Sequence, residues 1–288
     1  LVSVDSSLEL PKAASHHIVR VSRHKVGDHI ILFDGSQKDV QYLCSIEVAD
    51  KNRLLVKVLK QQESVTKSKT PIHIYPAVTR GSNFDWLLQK SVELGVSSIN
   101  PVLTQYTQIS FDSKKMSAKV DSWQKLVISA CEQCGLNIVP KVNYPIKLKE
   151  LLLSDDFSSS DSNSESNSES NSESNRESVC ERERDLCLIG LGPLELQRAC
   201  DKNIIKNKGS SNMNILEVKD LINLEYTKKY CRVNLLTGPE GGFSNSEIMQ
   251  VCESSFNFFV ICCGARVLRM ETAPIVLLTL LQAGFGGL

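Results

Sequence analysis

Two stretches near the end of the chain share one construction: an apolar strand pattern, a short loop carrying glycine and charge, and then a helix. The first runs from Val233-Asn234-Leu235-Leu236 into Thr237-Gly238-Pro239-Glu240-Gly241-Gly242-Phe243. Ser244 and Glu247 then have the spacing of a capping box, and Phe243 and Ile248 that of a hydrophobic staple, so a helix is expected to start at Ser244. The second runs from Phe258-Phe259-Val260-Ile261-Cys262 into Cys263-Gly264-Ala265-Arg266-Val267-Leu268-Arg269-Met270-Glu271-Thr272-Ala273 and on into apolar 275–282. Both loops therefore fall at the carboxyl ends of strands in an open α/β sheet, where ligand sites form.

Three glycines in 238–242 let the backbone approach a ligand closely and turn unpaired N–H groups toward it. A phosphate loop is a poor match, because the Gly-Lys-Ser/Thr is missing and Glu240 stands in the loop. A dinucleotide fingerprint fails on glycine spacing and on its late position in the chain. The plain alternative is a glycine turn with no ligand. In the second loop two arginines and a Glu-Thr pair crowd between buried elements, where unpaired charge is costly. Here the plain alternative is a helix cap with surface arginines.

Upstream the pattern divides the chain. Residues 18–62 alternate short apolar runs (30–33, 40–48, 54–59) with turn signals such as Asp34-Gly35, which reads as antiparallel strands of a small sheet or barrel. Polar 61–69 reads as a linker, giving domains 1–68 and 70–288. From 72–78 the rhythm is strand then helix: Phe84, Leu87, Leu88, Ser91 and Val92 share one face before Gly95, a strand follows at 99–103, and 120–134 repeats the helical spacing. Such alternation predicts a mostly parallel α/β sheet covered on both faces. Segment 154–184 collapses into Ser, Asn and Glu with a four-residue repeat and reads as a disordered insertion, or else as an acidic interaction or phosphorylation segment.

Composition limits the function classes. The 33 basic and 33 acidic residues cancel, so nucleic acid can be held only by a local patch. Arg20, Arg23, His24 and Lys25 form one such patch, the plain alternative being a solvated edge. Ten cysteines are too sparse for a disulfide framework and read as reduced thiols. Cys131 and Cys134 lack a second pair, so no metal site is expected, and Cys262-Cys263 read as core. Of His16 and His17, one is expected to be packed and one exposed; Trp86 and Trp123 are both expected in the core. Residues 1–10 have no basic-then-apolar leader, and the longest apolar run, 274–281, is short of a membrane span. A soluble cytoplasmic protein with no membrane partner is expected.

The two loops together, Gly238-Pro239-Glu240-Gly241-Gly242-Phe243-Ser244 and Arg266-Val267-Leu268-Arg269-Met270-Glu271-Thr272-Ala273, resemble the paired signature of the RsmE-type SPOUT methyltransferases, which methylate uridine N3 in small-subunit (16S) ribosomal RNA. Further similarity lies in Ala14-Ser15-His16-His17 through Val26-Gly27-Asp28, in Gln89-Lys90-Ser91-Val92-Glu93-Leu94-Gly95-Val96, and in Ala130-Cys131-Glu132-Gln133-Cys134-Gly135. The resemblance implies a PUA-like β-barrel for RNA, a SPOUT α/β domain with a C-terminal trefoil knot, a homodimer, and S-adenosylmethionine as cofactor. Cofactor contacts are thereby expected at Leu191, Gly192, Pro193, Thr237, Gly238, Pro239, Glu240, Gly241, Gly242, Cys263, Gly264, Val267, Leu268 and Thr272. Arg269, Glu271 and Glu240 are the expected catalytic residues, with Arg20, Arg23 and Lys25 on RNA. Ribosomal RNA or the small subunit is the expected partner.

Three positions depart from the family pattern: Leu136 and Asn83 where an arginine is usual, and Ser22 where a leucine is usual. The first two remove positive charge that can meet RNA, so a SPOUT enzyme with another RNA target, or an RNA-binding protein without turnover, stands as the alternative. The helix at 275–281 has almost no polar face and must be covered by its own domain or by a partner.

Overall fold

The computed structural model describes residues 3–35, 39–50, 53–64, 66, 68–107, 113–154, 185–205, 214–223 and 227–287. The chain divides into two compact units, Leu1–Lys67 with Gly135–Val139, and Ser68–Cys134 with Pro140–Leu288. The return of 135–139 to the first unit corrects the expectation of a contiguous second domain. Its physical cause is local: Leu136 is buried, and Asn137 donates its backbone N–H to Thr66 Oγ1 (3.4 Å) and its side-chain amide to Gln41 Oε1 (3.4 Å).

The first unit contains β1 (Ser7–Glu9), α1 (Lys12–His16) running into a π-helical turn (His17–Val21), β2 (His29–Leu32), β3 (Val40–Ala49) and β4 (Leu54–Glu63). The strands pair antiparallel in the order β1-β4-β3-β2. Leu54, Val56 and Val58 alternate inward along β4 and meet Cys44 and Ile46 of β3, with Leu8, Ile18 and Ile30 packed against them. Two register irregularities in β3, at Leu43/Cys44 and Ile46/Val48, add local twist. Gln61–Gln62–Glu63 finish β4 by pairing with Tyr42, Gln41 and Val40, so the linker expected at 61–69 is shorter than its polarity implied. His16 and His17 lie on the helical turn and both are exposed, which corrects the expectation that one is packed.

The second unit opens with β5 (Ile72–Pro76), α2 (Ser82–Glu93), β6 (Ser98–Ile99), β7 (Val102–Leu103), α3 (Ser113–Cys134), β8 (Lys141–Val142), β9 (Ile146–Lys147) and α4 (Leu148–Leu151). It continues with β10 (Asp185–Gly190), α5 (Pro193–Asp201), β11 (Asn214–Leu216), α6 (Val218–Leu221), β12 (Arg232–Thr237), α7 (Asn245–Glu253), β13 (Phe258–Ile261) and α8 (Thr272–Phe285). Seven strands pair parallel in the order β11-β13-β10-β12-β5-β6-β8. The strand expected at 99–103 is split: Pro101 has no N–H to donate, and beyond it β7 pairs with β9 in a separate two-stranded sheet. The expected insertion at 154–184 lies outside the described residues apart from Ser154.

One sheet face carries Tyr75, Cys187, Ile189, Leu236, Phe258 and Val260, which pack with Ala199 of α5 and Ile248 and Val251 of α7. The alternate residues Ile74, Leu188 and Leu235 are also buried, as alternation requires when both faces are covered. Trp123 is 1 % exposed and stacks at 4.7 Å on Phe84, whereas Trp86 is 42 % exposed, a correction to its expected place in the core. Trp86 is two positions from Phe84 on a helix, hence about 200° round from the buried face.

α8 packs against α2 and β10. Its buried Gln282 donates Nε2 to the carbonyls of Leu94 (2.5 Å) and Gly95 (3.1 Å) and accepts from Ser68 Oγ (3.0 Å). These bonds satisfy carbonyls at the end of α2, where Gly95 turns with φ of 72°. Gln282→Leu is expected to lower unfolding stability by about 1–3 kcal/mol, read from urea denaturation, because it leaves those half-buried carbonyls without their donor.

Candidate functional site

Pairing in register brings the site together. Gly190 at the end of β10 lies opposite both Thr237 at the end of β12 and Ile261 at the end of β13. The loops that follow, 191–193, 238–244 and 262–271, therefore leave the sheet side by side. They surround a cavity of about 440 Å3. Gly190 is itself a close-approach position, since a Cβ there would lie 3.0 Å from Leu277 of α8.

Two carboxylates fix the loop conformations. Glu195, in the first turn of α5, accepts the N–H of Gly192 on Oε2 (2.8 Å) and the N–H of Phe243 on Oε1 (2.7 Å). One side chain thus ties the β10 loop to the β12 loop. Gly242 has φ of 69°, and a Cβ there would collide with the same carboxylate, so both the turn and the close approach require glycine. Glu247 accepts from Ser244 N (2.8 Å) and Ser244 Oγ (2.9 Å), and on its other oxygen from Gln105 N (2.7 Å). Ser244 accepts in turn from Glu247 N (3.3 Å), so the expected capping box is present. Phe243 and Ile248 are fully buried in one cluster, as the staple predicted.

Of the expected cofactor residues, Leu191, Gly192, Pro193, Thr237, Gly238, Pro239, Glu240, Gly242, Cys263, Val267 and Leu268 line the cavity. Gly241, Gly264 and Thr272 are not on its wall: Gly241 faces Tyr106, Gly264 turns with φ of 89° in open space, and Thr272 begins α8. Arg269, Glu271 and Glu240 are all on the wall. Arg269 is 85 % exposed and its Nη1 lies 3.9 Å from Oε1 of Glu271, itself 14 % exposed. Burial, with Cys262 beside it, pushes the Cys263 thiol up to about 11, so it is neutral at physiological pH and is an apolar wall group.

The wall also holds residues that the sequence did not assign to the site, among them Gly190, Glu195, Ile261, Met270, Ala273 and Leu277; Arg266 of the second loop and Asn83, one of the departures from the family pattern, stand there as well. A signal for Glu195 existed, since Gly192-Pro193 followed by an acid two residues later is a helix start. Nothing local pointed to its second partner, Phe243.

The remaining candidates lie elsewhere. Arg20, Arg23 and Lys25 are exposed in the first unit, where Asp28 accepts from Lys25 N (2.8 Å) and faces His24 Nδ1 at 3.4 Å. The N–H of Lys25 holds the Asp28 carboxyl below its usual range. Cys131 is buried, Cys134 is exposed, and among the described residues no group of three or more His, Cys, Asp or Glu is placed to hold a metal ion. Also among them, no helix is long and apolar enough to cross a membrane.

The chain resembles known proteins along nearly its whole length. A model described as an RNA methyltransferase domain matches residues 66–193 and 194–282, and one described as an RNA methyltransferase PUA domain matches 10–59. A curated relative named ribosomal RNA small subunit methyltransferase E, from Buchnera aphidicola subsp. Acyrthosiphon pisum, is 25% identical, covering 94% of this chain and 85% of its own. A Legionella pneumophila protein solved with bound cofactor SAM and described as a methyltransferase is similar with TM-score 0.70 and 28% identity, covering 98% of this chain and 94% of that one. A ribosomal RNA small subunit methyltransferase E from Neisseria gonorrhoeae, bound to S-adenosyl methionine, gives TM-score 0.69 and 26% identity, covering 98% and 93%.

The Glu195 strap is open to a direct check by hydrogen exchange. Glu195→Ala is expected to speed exchange of the Gly192 and Phe243 amides by about 10- to 100-fold, the worth of a hydrogen bond to a charged acceptor. Glu195→Gln keeps one accepting oxygen and is expected to release only one of the two.

Proposed function

We propose that this chain, which belongs to the RNA methyltransferase family, methylates N3 of a uridine in small-subunit ribosomal RNA using S-adenosylmethionine. The observation that carries the reading is the convergence of three strand-end loops on one cavity whose wall bears Glu195, Glu240 and Glu271 alongside Arg266 and Arg269. That mixture fits a cofactor with a sulfonium cation, an ammonium and a carboxylate, and the backbone of 237–242 suits an adenine held by main-chain groups. The solved relatives that carry this cofactor support the same assignment.

When bound, the cofactor supplies an electrophilic methyl group. The chain has to position N3 of the base, remove its proton and stabilise the resulting negative charge. Arg269 is suited to the last task, because its guanidinium is exposed at the cavity wall and always charged. Glu271 orients Arg269, and Glu240, exposed on the same wall, accepts the proton. Leu191, Gly192, Pro193, Thr237, Gly238, Pro239, Gly242, Cys263, Val267 and Leu268 hold the cofactor, with Gly241, Gly264 and Thr272 shaping the loops around it. Arg20, Arg23 and Lys25 meet RNA phosphate.

The family departures leave this assignment standing. Leu136 is buried, so the loss there concerns an interior position; Asn83 is on the cavity wall, where Arg266 and Arg269 also stand. The same reading includes a PUA barrel built on the antiparallel sheet, a trefoil knot formed by the end of the chain, a cytoplasmic location, and a homodimer. The dimer is supported by one face of α8, where Ile275, Val276 and Leu280 are half-buried and Thr279 and Ala283 exposed.

The test is calorimetric titration with S-adenosylmethionine, then methyl transfer to unmodified small ribosomal subunits with digestion and mass spectrometry of the nucleosides. Binding with N3-methyluridine formation is expected; absence of cofactor binding would overturn the reading. Arg269→Ala is expected to retain cofactor binding and lose roughly 100-fold or more in transfer rate. Gly242→Ala is expected to lose cofactor binding, because its Cβ displaces the Glu195 carboxylate.

A further inference from the structure

Beside the first turn of α7 lies a second cavity, of about 630 Å3, within the size of small-ligand clefts. Thr104 and Gln105, Lys147 and Lys149, and Ser246 and Gln250 line it. Adjoining it in sequence is Tyr106, which is 43 % exposed. A Cβ on Gly241 would lie 3.1 Å from Tyr106 Cβ and 3.3 Å from its Cγ, so the tyrosine is laid directly against the glycine loop.

The turn that carries Tyr106 is fixed. Thr104 N donates to Thr107 Oγ1 (2.9 Å), the two threonine hydroxyls lie 3.0 Å apart, and Thr107 N returns to Thr104 O (3.1 Å). Gln105 N is held by Glu247 at 2.7 Å, which locks the turn to the start of α7. An exposed aromatic ring on a rigid turn loses little entropy when a planar ligand stacks on it. Two carboxylates share the wall of this cavity: Glu247 accepts from Gln105 N and from Ser244, and Glu150 pairs with Lys147 at 3.2 Å.

We propose that Tyr106 and this second cavity form a subsite for a single-stranded RNA nucleotide neighbouring the one methylated: its base stacks on Tyr106, Lys147 and Lys149 meet its phosphate, and the amides of Gln105 and Gln250 meet its base edge. The proposal rests on the methyltransferase reading. It makes the subsite a specificity element, because the tyrosine fills the space beside Gly241 of the loop that shapes the first cavity while Ser246, five residues on, lines the second.

The experiment uses the full chain and a fluorescein-labelled ten-nucleotide single-stranded RNA with one central uridine, followed by anisotropy. Tyr106→Leu keeps an apolar group against Gly241 and removes the ring face; it is expected to weaken RNA binding by about 5- to 100-fold, while Tyr106→Phe stays within about twofold. Replacing Lys147 and Lys149 together by glutamine is expected to lower the slope of log affinity against log salt by about 1.4. Calorimetric binding of S-adenosylmethionine is expected to be unchanged in every variant. RNA affinity of Tyr106→Leu equal to wild type would overturn the subsite. Failure of the wild-type chain to bind the cofactor would overturn the methyltransferase reading instead, and the RNA comparison would still decide the role of the ring.

Discussion

Parallel pairing of β10 with both β12 and β13 is the constraint on which the rest depends. Because Gly190 lies opposite Thr237 and Ile261, three strands stop at one level and their loops must share the space beyond it. Both neighbours of β10 in the sheet, β12 and β13, come later in the chain, so β10 separates two strands that follow each other in sequence. Burial on both faces gives that arrangement its rigidity, with Leu186, Leu188 and Ile189 all at 0% exposure. Full burial of one such side chain contributes about 1.5–3 kcal/mol.

On that frame, acidic side chains take the place that a bound anion takes in phosphate loops. Glu195 and Glu247 sit in the first turns of α5 and α7, where a negative charge is favoured by the helix dipole. Each also reaches an N–H outside its own helix, Phe243 for Glu195 and Gln105 for Glu247. Because carboxylates occupy these helix starts, the cavity between the loops is poorly suited to phosphate. It suits a ligand that carries positive charge beside a carboxylate. The charge pattern and the family match therefore lead to the same class of cofactor.

Much of this was legible before any tertiary contact was known. The capping box of Ser244 and Glu247 and the staple of Phe243 and Ile248 are short-range patterns, and both occur where their spacing placed them. The strand–loop–helix construction located two of the three loops. The differences from expectation have other origins. β10 is hard to read as a strand although it lies inside the sheet between β12 and β13, since its six residues follow directly on the low-complexity segment and lack a turn signal before them. Trp86 is expected in the core because tryptophan is usually buried, yet α2 turns it outward. Leu136, where the resemblance expects an arginine, is buried in the first unit, which the pattern of neighbouring residues does not reveal.

Local sequence fixes what each loop is: glycine where φ is positive at Gly242 and Gly264, a serine cap, acids in first turns, apolar alternation in the strands. These follow from interactions across a few residues, and their spacing is visible without a fold. Tertiary structure alone decided which loops meet, that Glu195 closes on Phe243, that Tyr106 lies on Gly241, and that Arg269 shares a wall with Asn83. The reason is that strand order and register are set by packing over the whole sheet, where partners tens to hundreds of residues apart are selected by buried area and by satisfied backbone groups.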